Sequence, residues 1–174
     1  MSWLNRLLIR SSANRTDVVF PVDVDLGSGL CVHLYCHEID TQAGKVTCWS
    51  YVTDGLTSKG QKELVFTLRG GPGEPADAFP RDPLDVFRSI SELAEQSRPV
   101  DVGGVTQFAG RKLFSRHLAY IDSETFPGVP VPRFGLAAIL VTDDEVRAGA
   151  GIRDLARNVS TGFRQPLLPV PTMV

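Results

Sequence analysis

The stretch from Trp49 to Leu68, WSYVTDGLTSKGQKELVFTL, constrains this chain more than any other. Apolar and polar residues alternate on both sides of a loop punctuated by Asp54-Gly55 and Lys59-Gly60. A period of two places alternate side chains on opposite faces of a strand, and glycine dipeptides of this kind mark turns. The spacing predicts one strand over Val46–Thr53 and another over Gln61–Leu68, with Leu64, Phe66 and Leu68 on one face. In the connecting turn, Asp54 is read as a side chain that satisfies turn amides.

The same alternation extends upstream. VVFPVDVDL, from Val18 to Leu26, reads as a half-buried strand, and Pro21 removes a ladder donor and places it at a sheet edge. Gly27-Ser28-Gly29 is a turn, and LCVHLYCHEI, from Leu30 to Ile39, completes a hairpin. The first third of the chain is therefore predicted to be an antiparallel meander. RGGPGEPADAFPR, from Arg69 to Arg81, is then a glycine- and proline-rich surface connector.

Asp82 as N-cap and Pro83 at the first helical position open a helix. Leu84, Phe87, Ile90, Leu93 and Ala94 fall on one of its faces, and Arg98-Pro99 closes it. Val100–Ala109 and Leu113–Ile121 are predicted strands, and Thr125–Pro132 a loop. The apolar run FGLAAILV, from Phe134 to Val141, is the candidate central strand. Thr142 and Glu145 have capping-box spacing for a second helix. Gly149 and Gly151 weaken it, and Ile152, Leu155, Ala156 and Val159 resume its stripe. Strands, helix, strands, helix is an α+β order with a largely antiparallel or mixed sheet. At 174 residues and 43% hydrophobic content, one domain over 18–174 is expected, preceded by a segment, 1–17, able to form a short helix.

Charge and composition exclude some functions. A net charge of -2 gives no electrostatic footing for nucleic acid. No apolar run reaches the roughly 18 residues of a membrane span. Three cysteines, Cys31, Cys36 and Cys48, point to reduced thiols in a cytoplasmic setting, with a Cys31–Cys48 disulfide left open.

The residue types of CVHLYCHE, from Cys31 to Glu38, suit zinc or a Cys/His nucleophile pair. On a strand, however, His33 and His37 stand ~13 Å apart, too far to share a metal. The expected arrangement is an apolar face of Val32, Leu34 and Cys36, with Cys31, His33, Tyr35 and His37 facing a partner or solvent. No metal or cofactor is expected. RGGPGEP lacks the Lys-Ser/Thr of a phosphate loop, and GAGIRDLAR lacks the third glycine of a dinucleotide fingerprint. Asp143-Asp144-Glu145 suits a helix N-terminus. No Ser/His/Asp triad is evident.

At YVTDGLTSKGQKELVFTL the chain resembles the C-terminal domain shared by the FYVE-finger endosomal proteins Smad anchor for receptor activation and endofin. The likeness continues in order through Pro80-Arg81-Asp82, Gly103 to Phe108, Leu118-Ala119-Tyr120, Pro130 to Leu140 and Arg164-Gln165-Pro166-Leu167. The Gln-Lys-Glu-Leu strand, the helix and Thr142-Asp143-Asp144-Glu145 are also similar to the suppressor-of-fused superfamily. Colinear order over residues about 46 to 170 carries the resemblance. It implies a mixed α/β module that binds a protein or peptide, sequestering it or neutralising it as an immunity protein does a toxin. Three cysteines cannot build the two zinc sites of a FYVE finger, so endosomal targeting is not implied. The expected function is thus non-enzymatic protein binding. The alternatives are a hydrolase or transferase using Cys31, His33 or His37, and a scaffold or oligomerisation domain. The expected binding surface comprises the Asp54–Gly60 loop (Asp54, Leu56, Lys59), the Arg69–Phe79 loop with Arg69 and Phe79 at its ends, and exposed positions on the Val18–Leu26 edge strand.

Overall fold

A computed structural model describes residues 20–41, 44–69, 77–108, 116–122 and 135–148. Seven strands form one sheet in the order β1-β2-β3-β4-β7-β6-β5. Strands β1 (Phe20–Gly27), β2 (Leu30–Thr41), β3 (Gly44–Asp54) and β4 (Leu64–Arg69) are successive antiparallel neighbours, the meander expected from their alternation. Helix α1 (Asp82–Glu95) follows, then β5 (Val105–Thr106), β6 (His117–Asp122) and β7 (Leu136–Val141). β6 is antiparallel to both β5 and β7. β7 returns beside β4 in parallel, with Leu64 opposite Leu136. Helix α2 (Asp143–Ala148) comes next. The class is α+β, and β1 lies at an edge as Pro21 requires.

One face of the sheet carries the large core. Val32, Leu34, Trp49, Tyr51, Leu64, Phe66, Leu68, Leu118, Tyr120, Leu136 and Leu140 pack there with Leu84, Phe87 and Ile90 of α1. Removing a side chain of this size from water contributes about 1.5–3 kcal/mol. Tyr51 lies at the centre, tilted against Phe66 and Phe87 and edge-on to Phe79. Its hydroxyl donates to the Pro80 carbonyl at 2.7 Å, which anchors the chain just before α1.

The opposite face is buried as well. Tyr35, Cys48, Ser50, Val52, Val65, Thr67, Ala119, Ile121, Ala137 and Ile139 all have 5% exposure or less. This corrects the expectation that the His33 and Tyr35 side of β2 faces solvent or a partner: β2 is an interior strand of a sheet covered on both sides. Buried polar groups on this face find one another, as Ser50 Oγ and Thr67 Oγ1 do at 2.7 Å.

Three further differences have local causes. Arg81 is the N-cap of α1 and supplies no side-chain bond, so Asp82 and Pro83 are the first two helical residues. Among the described residues of the predicted Val100–Ala109 strand, Val100 to Phe108, only Val105–Thr106 is strand, because a turn at Asp101–Gly104 intervenes, with Gly104 N donating to the Asp101 carbonyl. Cys31 pairs in register with Asp54 and Cys48 with His37, which separates the two thiols by ~20 Å along the strands and rules out a Cys31–Cys48 disulfide. All three cysteines are free thiols. The capping box, by contrast, forms as spaced: Thr142 N donates to Glu145 Oε2 at 2.6 Å, and Glu145 N to Thr142 Oγ1 at 3.0 Å. The expected N-terminal helix, Leu113–Ser115, the Thr125–Pro132 loop and the stripe from Ile152 to Val159 lie outside the described residues.

α1 ends in a Schellman arrangement. Ser97 N donates to the Ala94 carbonyl and Arg98 N to the Leu93 carbonyl, both at 2.9 Å. The left-handed position this requires, φ 60°, is held by Ser97 rather than glycine. Ser97→Gly is therefore expected to raise stability by about 1 kcal/mol. A denaturant midpoint that falls on this substitution would refute the assignment.

Candidate functional site

Three of the residues singled out in the sequence, Cys31, His33 and Asp54, meet at the β1–β2–β3 edge, where β1 adds Asp23 and Asp25. Register sets Asp23 opposite His33, Asp25 opposite Cys31, and Cys31 opposite Asp54. His33, on the interior strand, is nearly enclosed and lies between two carboxylates. Its Nδ1 is 2.6 Å from Asp23 Oδ1 and its Nε2 3.4 Å from Asp54 Oδ2. The cluster thus ties β1 and β3 to the strand between them. A neutral imidazole carries one N–H, so it can donate to only one of these two carboxylates.

This arrangement does not activate Cys31. Burial raises the thiol pKa above its usual value, and Asp23, Asp54 and Asp25 raise it further. A nucleophilic cysteine needs the reverse environment, one that favours the thiolate. Among the described residues no hydrogen bond joins Cys31 to His33, and the Nε2 side of the ring faces the Asp54 carboxylate. Burial, with Asp23 and Asp54, likewise pushes the Tyr35 hydroxyl up to about 12. Burial pushes Cys48 up to about 12, with Arg69 acting in the opposite direction. His37 lies further along β2, opposite Cys48. Its side chain is outside the described set, so the Cys31/His33/His37 constellation is placed only in its first two members.

The Asp54–Gly60 loop is internally hydrogen-bonded, with Ser58 Oγ donating to the Gly55 carbonyl at 2.7 Å. A 3-10 turn, Thr57–Lys59, occupies its middle, and Gly60 closes it in the left-handed region. Glu63 organises the loop: it accepts from Thr53 Oγ1, from Gly55 N and Thr57 N, and from Thr57 Oγ1, at 2.7–3.1 Å. The turn amides of Gly55 and Thr57 therefore go to Glu63. Leu56 is fully buried, so it belongs to the core and not to a contact surface. Lys59 reaches across to α1, with Nζ 2.7 Å from Glu95 Oε1 and 2.6 Å from Ser91 Oγ. It fastens the loop to the helix, and only 10% of its side chain is exposed.

Phe79 is half-buried against the core, and the Arg81 guanidinium lies over its ring at 5.6 Å from the centroid. Arg69, at the end of β4, is half-buried and pairs in register with Cys48. Asp54, Leu56 and Lys59 thus share one loop, while Arg69 and Phe79 flank a separate connector.

A second imidazole–carboxylate pair lies toward the other end of the sheet. His117 Nε2 is 2.6 Å from Asp143 Oδ1, and its Nδ1 accepts from Phe108 N at 3.1 Å. That bond fixes the proton on Nε2, so the ring donates to Asp143. Asp143 is thereby more than a solvated helix-terminal charge. Its sequence distance from His117 left no local pattern that would reveal the pair. Glu63 was missed for a related reason, since it follows the turn it organises and reads simply as a polar strand position.

Among the described residues, no group of three His, Cys, Asp or Glu side chains is placed to hold a metal ion. No helix among them is long and apolar enough to cross a membrane. No protein-family model matches the chain, and no curated protein matches it.

Proposed function

We propose that this chain is a non-enzymatic protein-binding module of the suppressor-of-fused-like kind, which captures an extended segment of a partner along the outer edge of β1. The observation that carries this reading is the edge itself. β1 runs for eight residues and ends the sheet, and no strand among the described residues pairs with its outer side. The opposite edge, β5, offers only two residues. Apart from Pro21, which has no N–H, an open strand edge of this length presents backbone donors and acceptors in a row, which is the basis of peptide capture by strand addition. The family resemblance adds a sequestering or immunity-like role. The free thiols suit a cytoplasmic setting.

One observation favours a second reading, a hydrolase or transferase. The short Asp23–His33 contact is the geometry that orients a histidine base. Against it stand the raised Cys31 pKa and the Asp54 carboxylate at the other ring nitrogen.

Affinity capture from the native cell, followed by hydrogen exchange on the reconstituted complex, separates these readings. Amide exchange over Val22–Leu26 is expected to slow at least about tenfold when the partner binds, since newly paired strand amides exchange only on opening. Protection confined to other strands would remove the edge reading. A turnover found in the wild type and lost in His33→Ala would replace binding with catalysis.

A further inference from the structure

We infer that the segment received by β1 is one in which lysine or arginine alternates with apolar residues. This rests on β1 being the docking edge and goes further, to the chemistry of what docks there. Along β1, Val22, Val24 and Leu26 are half-buried and continue the row of the main core. Asp23 and Asp25 alternate with them on the other face and are exposed, the Asp23 side chain to 70%. Asp54 stands on that same face at the end of β3, with 43% of its side chain exposed.

Between Phe20 and Gly44 the chain carries four carboxylates (Asp23, Asp25, Glu38, Asp40) and no lysine or arginine. The β1–β2 hairpin therefore has a charge of -4, whereas the whole chain has -2. Among the described residues, His33 is the group placed against Asp23, and it is shared with Asp54.

A strand added beside β1 sets its side chains about 5 Å from those of β1 on each face. On one face apolar residues would extend the row of Val22, Val24 and Leu26. On the other, residues two apart would meet Asp23 and Asp25. Opposite charges across a strand pair stabilise it and like charges oppose it. The same rule disfavours a second copy of this chain, because a two-fold antiparallel pairing of β1 with itself brings aspartates against aspartates.

The test uses the full chain and three labelled decapeptides: alternating valine and lysine, alternating valine and glutamate, and a block of valines followed by lysines. The alternating lysine peptide is expected to bind at least about tenfold tighter than either of the others at low salt, with the preference shrinking as salt rises. It should slow exchange of the Val22–Leu26 amides. The double substitution Asp23→Lys, Asp25→Lys should reverse the preference toward the glutamate peptide, a gain that an unfolded variant would not show.

If the lysine and glutamate peptides protect β1 equally, the basic chemistry is wrong and the docking edge stands. If the block peptide matches the alternating lysine peptide, attraction is merely electrostatic and the inference fails. If no peptide binds, or protection falls elsewhere, both the inference and the docking edge fail. A dimer that protects β1 without added peptide would also overturn the inference, in favour of self-pairing.

Discussion

Gly55→Ala is expected to destabilise the fold by about 3 kcal/mol or more, through a backbone collision joined to an unfavourable dihedral. Gly55 follows β3 with φ at 113°, which L side chains rarely adopt. A Cβ at this position would lie 2.0 Å from the Gly29 carbonyl oxygen and 3.1 Å from its carbon. Both are main-chain atoms in the β1–β2 turn, so no side-chain rotation relieves the contact. The hairpin must move away from the end of β3, and the core contacts of Leu30 and Leu56 go with it. Gly60 provides the control. Its φ is 76°, but a Cβ there meets nothing within 4 Å, so Gly60→Ala should cost only about 1 kcal/mol. Urea denaturation of the two variants checks the ordering. Equal losses would show that Gly55 is not in close contact with the β1–β2 turn.

The second large effect is expected at Glu63. One carboxylate accepts four hydrogen bonds, two from hydroxyls and two from the backbone of the loop. Glu63→Ala leaves the Gly55 and Thr57 amides without this acceptor and removes the partner of Thr53, whose hydroxyl also accepts from Leu64 N at 2.7 Å. Hydrogen bonds to a charged group contribute about 1.5–3 kcal/mol each, and water reaches this half-exposed site, so a total loss of about 3 kcal/mol is expected. Glu63→Gln keeps one acceptor oxygen and should recover about half of that loss. Thermal unfolding of both variants, together with exchange rates at Gly55 and Thr57, checks this. Unchanged exchange at those amides in Glu63→Ala would overturn the role given to Glu63.

How much of this was legible in sequence depended on how local the cause was. The meander could be read because alternation and glycine turns act within a few residues, as at Val46–Thr53 and Gly27–Gly29. The Thr142–Glu145 box could be read because both partners lie in one helical turn. The buried second face of the sheet could not, since Tyr35 and His33 look the same in sequence whether covered or exposed. The pairing of β4 with β7 had no local signal either. At the candidate site, His33 and Cys31 stood out by residue type, whereas Asp23 and Asp25 were covered only as exposed positions of the Val18–Leu26 edge strand. Their convergence with Asp54 depended on strand register, which a one-residue shift would have undone. Strand signals also overreached at Val100–Ala109, where Asp101 and the glycines that follow Val102 took the backbone into a turn.

The single parallel joint between β4 and β7 also bears on how the chain assembles. Leu64 and Leu136 are 72 residues apart, whereas the ladders of β1 to β4 join consecutive strands. Closing the longer loop costs entropy before any contact repays it, so we expect the meander to form first and the joint last. Until then the free side of β4 along Leu64, Val65 and Phe66 is a transient apolar edge of the kind that invites mispairing. Pulse-labelled exchange during refolding should find β3 amides protected before those of β7, and simultaneous protection would contradict this order. Among the described residues the acidic β1 border stays open in the folded chain, whereas the β4 border exists only during folding.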